Sequence, residues 1–282
     1  MLDNKVIVIT GGGRGIGKTI AEVCKKNKAK VAICARSEKE LQQTLTELKS
    51  INSTPTLAST CDVTSAADTK KFFEKVKSEL GPIYGLICAA GVYGEIGPFL
   101  DSDFSKWEKA LDINLKGTAL SIHTAAPYFE KSSSGRVIVF SGGGQGPLPN
   151  FSGYAISKGG VWRLTETLGA ELAKRNIFLN SIAPGAVNTK LLDDLIQAGA
   201  EKVGKDFYEK SLAQREQGGT SPAKAAELVL YLLSEKSHGL YGKTLSAVWD
   251  PYQDFQNLEK MSQSDIYQVR RVVDNLGNTR AK

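Results

Sequence analysis

The chain has 282 residues, of which 41% are hydrophobic and 23% are charged, and its formal net charge is +6. This composition is typical of a globular protein, and the length is compatible with one open α/β sheet. No apolar run reaches the roughly 20 residues of a membrane-spanning helix. The modest basic excess has no interleaved aromatic residues, so we expect neither a membrane protein nor a nucleic-acid-binding protein.

Cysteine usage and the N-terminus bear on the compartment. Cys24, Cys34, Cys61 and Cys88 are irregularly spaced in apolar surroundings, so buried free thiols are expected. The N-terminus enters a strand at Val6 without a basic and apolar leader. Both features favour the reducing cytoplasm. The two histidines lie outside any zinc-binding spacing, and we expect no metal site.

Short β-runs alternate with helical segments along the chain. The predicted strands cover residues 6–9, 30–35, 56–61, 84–89, 136–141, 178–183 and 243–247. The predicted helices cover residues 16–27, 38–49, 65–80, 103–131, 152–175 and 223–233. Strict alternation implies right-handed crossovers, so the sequence predicts an α/β fold: a Rossmann-type doubly wound parallel sheet of about seven strands with helices on both faces.

We expect one Rossmann-fold domain over residues 1–250 and a C-terminal extension over 251–282. Residues 188–219 are polar and punctuated by glycine, and they follow the sixth strand. Ligands bind beyond the carboxyl ends of such strands, so this insertion favours a lid over a plain surface excursion. The extension is predicted to contain an amphipathic helix, which would pack on its own subunit, close over the site or contact a partner; its apolar residues are Ile266, Val269, Val272 and Val273.

A glycine-rich turn follows the first strand and leads into a helix. Glycines let the backbone approach a pyrophosphate closely, and the helix N-terminus offers unpaired amides and a partial positive charge. Its position at the start of a βαβ unit makes the dinucleotide interpretation strong. The predicted contacts in this turn are Gly11, Gly13, Arg14, Gly15, Ile16 and Gly17.

The end of the second strand bears on the choice of dinucleotide. A free ribose 2′-hydroxyl is usually bound by an Asp or Glu about 20 residues after the glycine turn. The second strand ends instead at Arg36, which together with Arg14 could bind a 2′-phosphate. We therefore expect NADP(H) to be preferred, while NAD(H) stays possible.

Tyr154 and Lys158 lie four residues apart in a predicted helix, so their side chains share one face. A phenol ordinarily titrates near ~10. An ammonium group about 4 Å away would contribute roughly 4 kcal/mol at an effective dielectric of 20, enough to bring that pKa down to about 7. The pair therefore predicts a phenol suited to exchanging a proton with a carbonyl or carbinol oxygen.

Taken together, these motifs resemble the single-domain branch of the short-chain dehydrogenase/reductase family over residues 4 to about 248. The resemblance rests on the turn from Thr10 to Gly17 and on several later positions. In chain order these are Asp62-Val63, Ala89-Ala90-Gly91, Asn114, Ser141, Tyr154, Lys158 and Pro184-Gly185. The extended end after Ser246 departs from the family pattern.

The resemblance implies roles for these residues. Tyr154 would be the general acid/base and would also contact the cofactor. Lys158 would lower the pKa of Tyr154 and hydrogen-bond the nicotinamide ribose. Ser141 would hold the substrate oxygen, and Asn114 would anchor a water that links Lys158 to solvent. The remaining implied cofactor contacts are Asp62, Val63, Ala89, Ala90, Gly91, Pro184, Gly185, Val187 and Thr189.

The expected partner is a small carbonyl or alcohol substrate, and the family implies a homodimer or homotetramer. The expected pocket walls are Tyr93, Gln145, Leu148, Phe151, Leu191, Leu192, Leu195 and Trp249. Because this lining has few fixed charges, it suits an uncharged ketone or secondary alcohol. Our first hypothesis is an NADPH-dependent carbonyl reductase. The alternatives are an NAD-dependent alcohol dehydrogenase and a cofactor-sensing protein without catalysis.

Overall fold

The computed structural model describes residues 2–131, 133–142 and 146–269. Within them the strands form one parallel seven-stranded sheet in the order β3-β2-β1-β4-β5-β6-β7, which confirms the predicted Rossmann-type sheet. The strands are β1 (Val6–Thr10), β2 (Lys30–Ala35), β3 (Thr56–Thr60), β4 (Ile83–Cys88), β5 (Gly135–Phe140), β6 (Ile177–Ala183) and β7 (Thr244–Ser246). The order reverses between β1 and β4, where a ligand crevice is expected.

Helices cover both faces of the sheet and join its strands. They are α1 (Gly15–Lys26), α2 (Glu38–Ile51), α3 (Ala66–Leu80), α4 (Phe104–Leu111), α5 (Gly117–Ala125), α6 (Ser152–Ala173), α7 (Lys190–Val203), α8 (Lys205–Gln217), α9 (Pro222–Leu233) and α10 (Leu258–Ser262). Several of them begin at side-chain caps: the hydroxyls of Ser37 and Ser65 accept hydrogen bonds from the backbone amides of Glu40 and Asp68.

Two apolar clusters enclose the sheet, one on each face. Along β5, Ile138 and Phe140 face the cluster that contains residues of α1 and α9. Val137 and Val139 face the cluster that contains residues of α3 and α6. The alternation of side chains along a strand thus divides the core into two layers and holds the strand ends in a fixed order.

The helix predicted over residues 103–131 differs in the structure. Backbone from Asp112 to Lys116 forms a π-helical turn between α4 and α5, and a 3₁₀ turn ends the segment at Tyr128. A π-turn inserts one residue into the hydrogen-bonding pattern and often marks a functional position. Here it contains Asn114.

The structure also describes the insertion at 188–219 and part of the C-terminal extension. The insertion at 188–219 consists of the helices α7 and α8, separated by Gly204. In the extension, the predicted helix through Ile266 and Val269 is wrong: Ile266 lies in a turn after α10 and Val269 has no regular secondary structure. Val272 and Val273 lie outside the described residues. The backbone amide of Thr244 donates to the carbonyl of Tyr267, so the extension packs along the edge strand β7. No helix in the described part of the chain has the length and apolar character to cross a membrane.

Candidate active site

The turn between β1 and α1 is shaped by close backbone packing. A Cβ atom on Gly17 would lie 2.3 Å from the carbonyl oxygen of Gly11, and one on Gly11 would lie 2.6 Å from the amide nitrogen of Ala90. Gly11 also has a φ of 69°, which glycine adopts without strain. These positions bring the turn close to the end of β4 and leave the N-terminus of α1 facing the crevice. The residues present therefore fit a dinucleotide pyrophosphate.

The same segment, from Gly12 to Thr19, also matches the phosphate-loop pattern of nucleoside triphosphatases. That mechanism needs the lysine to reach the phosphates. Lys18 lies instead on α1 and forms an ion pair of 2.5 Å with Glu47 of α2. The structure thus favours the dinucleotide interpretation.

A cleft lies over this turn, beyond the carboxyl ends of the strands. Most of the predicted cofactor contacts line it: Gly11, Gly13, Arg14, Gly15, Ile16, Gly17, Arg36, Asp62, Val63, Ala89, Ala90, Gly91 and Thr189. Pro184, Gly185 and Val187 lie outside its described lining. The cleft therefore gathers the residues predicted for the adenosine and pyrophosphate, more than those predicted for the nicotinamide.

One functional candidate that the sequence analysis missed lies in this cleft. Glu40, in the first turn of α2, lines the cleft and forms an ion pair of 2.7 Å with Arg14. Arg36 lies near Asp62: burial alone would raise the pKa of Asp62, but hydrogen bonds from Thr64 and the charge of Arg36 outweigh it and lower that pKa. The adenosine end of the cleft thus carries both arginines and two carboxylates, Glu40 and Asp62.

Asn114 connects the cleft floor to α6. Its side-chain oxygen accepts a hydrogen bond of 2.9 Å from the amide of Val92, and its nitrogen donates to the Val92 carbonyl and to Ser157, each at 2.9 Å. A Cβ atom on Gly91 would lie 3.4 Å from this oxygen and 3.8 Å from Nζ of Lys158. Asn114 therefore holds the loop after β4 next to Lys158. The water that Asn114 would anchor between Lys158 and solvent stays a prediction.

Tyr154 and Lys158 lie on α6, but they do not interact as predicted. Nζ of Lys158 donates a hydrogen bond of 2.7 Å to the carbonyl of Phe140 and lies 5.7 Å from the centre of the Tyr154 ring. Burial and the neighbouring Tyr93 raise the pKa of Tyr154, and burial lowers the pKa of Lys158 to about 8. The predicted fall in the tyrosine pKa is therefore wrong for this structure, because burial raises that pKa and the lysine amine is bound to the carbonyl of Phe140. The phenol stays protonated at neutral pH, as a proton donor requires.

Ser141 lies at the end of β5, where its hydroxyl is hydrogen-bonded within the protein. Its buried hydroxyl lies 3.0 Å from the hydroxyl of Ser181, which in turn lies 2.6 Å from that of Thr244. The Tyr154 hydroxyl donates instead to the carbonyl of Gly142, at 3.1 Å. A buried hydroxyl is costly without a partner, and Ser181 on the adjacent strand supplies one. In this arrangement Ser141 belongs to a chain of buried hydroxyls, and its role toward a substrate oxygen stays a prediction.

The helices of the predicted lid, α7 and α8, pack near Tyr154 through an apolar cluster. Leu195 and Val203 of α7 pack with Phe151, and Tyr93 packs with Tyr154 at a ring-centroid distance of 4.8 Å. Leu148 belongs to the same cluster, Leu191 lines the cofactor cleft and Leu192 is buried. Trp249, with 84% of its surface exposed, is not a wall of this region. Gln145 lies outside the described residues.

The sequence profile of the family described as short chain dehydrogenase matches residues 5–199. Dehydrogenase/reductase SDR family member 4 of Sus scrofa is 31% identical over 245 residues, which are 86% of this chain and 86% of the relative. A relative of this kind, together with the profile, identifies the family independently of the geometry.

Solved structures identify the fold. Levodione reductase superposes with a TM-score of 0.80 at 24% identity, and the match covers 90% of this chain and 100% of that protein. An actinorhodin polyketide ketoreductase crystallised with NADPH gives a TM-score of 0.77 at 25% identity, again over 90% and 100% of the two chains. Both therefore share the fold described above.

Proposed function

Because this chain belongs to the short-chain dehydrogenase/reductase family and is an oxidoreductase acting between alcohol and carbonyl groups, we propose that it is an NADPH-dependent carbonyl reductase. It would interconvert a ketone or aldehyde with the corresponding alcohol. The bound dinucleotide supplies the hydride. The residues of the chain hold this cofactor, position the carbonyl oxygen and provide the proton.

The single observation that supports this proposal most is the arrangement of Lys158, Gly91 and Tyr154. The lysine amine lies beside the floor of the glycine-lined cleft, at Gly91, and the phenol lies one helical turn away with its proton retained. A protonated phenol is a proton donor toward a carbonyl oxygen, so the site favours reduction at neutral pH. Lys158 would hold the nicotinamide ribose, and Asn114 would hold the loop between them.

For the cofactor, we propose NADPH over NADH. Arg14 and Arg36 both line the adenosine end of the cleft, where arginine's planar fork suits a 2′-phosphate. Glu40 beside Arg14 supports the alternative, since a carboxylate there could accept a hydrogen bond from a free 2′-hydroxyl. The NAD-dependent alcohol dehydrogenase is therefore the runner-up among enzymes.

Two observations favour a second candidate of another class, a dinucleotide-binding protein without catalysis. Ser141 is turned toward Ser181, and the lid packs on the Tyr154 surroundings. A protein that binds the dinucleotide and has lost turnover would have these features. The retained Tyr154 and Lys158 argue for the enzyme.

We also propose a homodimer or homotetramer formed through α4, α5 and α6, as the family resemblance implies. Phe104 on α4 and Ile156 on α6 are exposed apolar side chains that support a contact there. The four cysteines are all free and buried, which fits the cytoplasmic location predicted from the sequence.

A screen of ketones and aldehydes that follows NADPH absorbance tests this function. We expect at least one carbonyl compound to accelerate NADPH oxidation in a saturable way. Tight NADPH binding with no accelerated oxidation across a broad screen would favour the non-catalytic candidate. Failure to bind either dinucleotide would contradict both.

A further inference from the structure

A second cavity, of about 390 Å³, lies between the loop after β4 and the lid helix α7. Tyr93, Ile96 and Ala198 form part of its apolar wall. It shares Arg36 and Asp194 with the lining of the cofactor cleft, so the two spaces adjoin. We call it the lysine cavity because of the side chains considered next.

Cationic side chains outnumber carboxylates in the lining of the lysine cavity. Four cationic residues line it: Arg36, Lys106, Lys109 and Lys202. Asp194 is the carboxylate of the described lining, and it is already paired with Lys190 of its own helix at 3.1 Å. The cavity therefore has an excess of positive charge, contrary to the weakly charged pocket expected from the sequence.

Neighbouring acids compensate only part of this excess. Lys106 lies 3.4 Å from Asp103, and Lys202 lies 3.8 Å from Glu95. Within the described part of the chain, the side chain of Lys109 forms no hydrogen bond or ion pair. A cleft lined by one sign of charge attracts the opposite ion from solution. Since Arg36 is assigned to the cofactor, the lysines are left for another anion.

The cavity is adjacent to the proposed chemistry. Tyr93 lines it and at the same time packs against Tyr154, with ring centroids 4.8 Å apart. One aromatic ring therefore separates a ligand in the cavity from the phenol. A molecule with its carbonyl at Tyr154 and an apolar chain along Tyr93 would place its far end among the lysines.

We propose that the lysine cavity binds the anionic end of the substrate, so that the preferred substrates are amphipathic carbonyl compounds ending in a carboxylate or phosphate. This inference rests on the proposed carbonyl reduction and adds the substrate class. Lys106 and Lys109, one helical turn apart on α4, are the residues that determine this specificity, with Lys202 on the lid opposite them.

The test compares methyl ketones of increasing length that end in a carboxylate with ketones of the same length that end in a methyl group. For the wild type with saturating NADPH, we expect kcat/KM to favour the carboxylate members once the chain is long enough, and KCl to reduce this preference. In the double variant Lys106→Gln/Lys109→Gln, the ratio of carboxylate to methyl kcat/KM should fall on the order of tenfold, mostly through KM.

The matched control is Lys71→Gln/Lys77→Gln, which removes two exposed charges from α3. It should leave the ratio unchanged. An equal fall in this control, or no preference for the carboxylate series at any length in the wild type, overturns the anion site.

A binding measurement separates this inference from the proposed reaction. Isothermal titration with dodecanoate, which has a carboxylate and no ketone, needs no turnover. If no ketone is reduced but dodecanoate binds and the double variant loses on the order of tenfold affinity, the anion site stands and the proposed reaction fails. If ketones are reduced but dodecanoate binds wild type and double variant equally, the anion site is wrong and the reaction stands.

Discussion

Nζ of Lys158 donates its hydrogen bond to the carbonyl of Phe140, 2.7 Å away, at the end of β5. The lysine is buried, and its amine lies beside Gly91 on the floor of the cofactor cleft. The carbonyl satisfies one of the three donors of the ammonium group without neutralising its charge. Lys158 is therefore held in position for a ligand in the cleft at a cost in stability.

This cost predicts a pH dependence. Burial lowers the pKa of Lys158 from its ordinary 10.5 to about 8. Between these values the unfolded chain binds more protons than the folded chain, so the free energy of unfolding should rise with pH over this window. The full effect is on the order of 3 kcal/mol.

Urea unfolding of the cofactor-free protein at pH 8 and pH 10 measures it. Relative to Lys158→Met, the wild type should gain stability between the two pH values. The exposed control Lys174→Met should follow the wild type. Parallel curves for wild type and Lys158→Met would mean that Lys158 titrates as an ordinary lysine.

Glu40 should reduce the affinity for NADPH. Its carboxylate lines the cleft next to Arg14, where it opposes a 2′-phosphate. Glu40→Gln should tighten NADPH binding roughly fivefold and leave NADH binding unchanged or weaker. Dissociation constants from NADPH and NADH fluorescence check this. Glu47→Gln, on the same helix but paired with Lys18, is the control; weaker NADPH binding in Glu40→Gln would show instead that the acid orients Arg14.

Gly17 should tolerate no side chain. Its Cβ would lie 2.3 Å from a backbone oxygen, so Gly17→Ala must displace the turn. We expect a lower Tm and an NADPH affinity reduced by at least roughly tenfold, since the glycine-rich turn can no longer approach the pyrophosphate closely. Gly146→Ala, where a Cβ meets nothing within 4 Å, should change neither quantity. Unchanged NADPH binding in Gly17→Ala would exclude the turn as the pyrophosphate site.

Ser141 should matter for stability more than for turnover. Ser141→Ala leaves the Ser181 hydroxyl with one partner fewer, at a cost of about 1 kcal/mol. We expect Ser141→Ala and Ser181→Ala to lower the free energy of unfolding alike and to keep kcat within a few-fold. A loss of kcat of a hundredfold or more in Ser141→Ala alone would contradict this and support the substrate-holding role.

The sequence predicted the strands well because each is a short run of buried apolar residues. β2 has the predicted bounds, and the others differ by a few residues at their ends. It also predicted the residues of the glycine turn, because the turn, the helix N-terminus and the strand end follow one another along the chain. A site built from consecutive residues can be predicted from the sequence, because the order of strand, turn and helix already determines its geometry.

Other features depend on contacts that no local pattern contains. The π-turn at Asn114 leaves the helical periodicity almost unchanged, so the segment reads as one long helix. Glu40 follows Arg36 by four residues, and it lines the cleft because α2 packs with this side chain next to Arg14. The spacing from Ser141 to Tyr154 gives a separation along the chain, whereas the direction of the Ser141 hydroxyl is set by Ser181 on the adjacent strand.

The burial of Tyr154, which raises its pKa, likewise could not be predicted from the sequence. Its pKa depends on how far Tyr93 and the lid cover it, and this coverage is a property of packing. Lys158 lies on the expected helix and near the expected cleft, but its amine points to Phe140. The sequence thus identified the chemical groups, and their electrostatic balance required the folded structure.

The most direct test of the central claim is Tyr154→Phe, assayed with a carbonyl substrate found in the screen. The phenol is proposed as the proton donor, whereas most of the predicted cofactor contacts are made by other residues. We therefore predict that NADPH oxidation falls by at least roughly a hundredfold, while the dissociation constant of NADPH stays within a few-fold of the wild type. Wild-type turnover in this variant would contradict the assignment of Tyr154 as the acid.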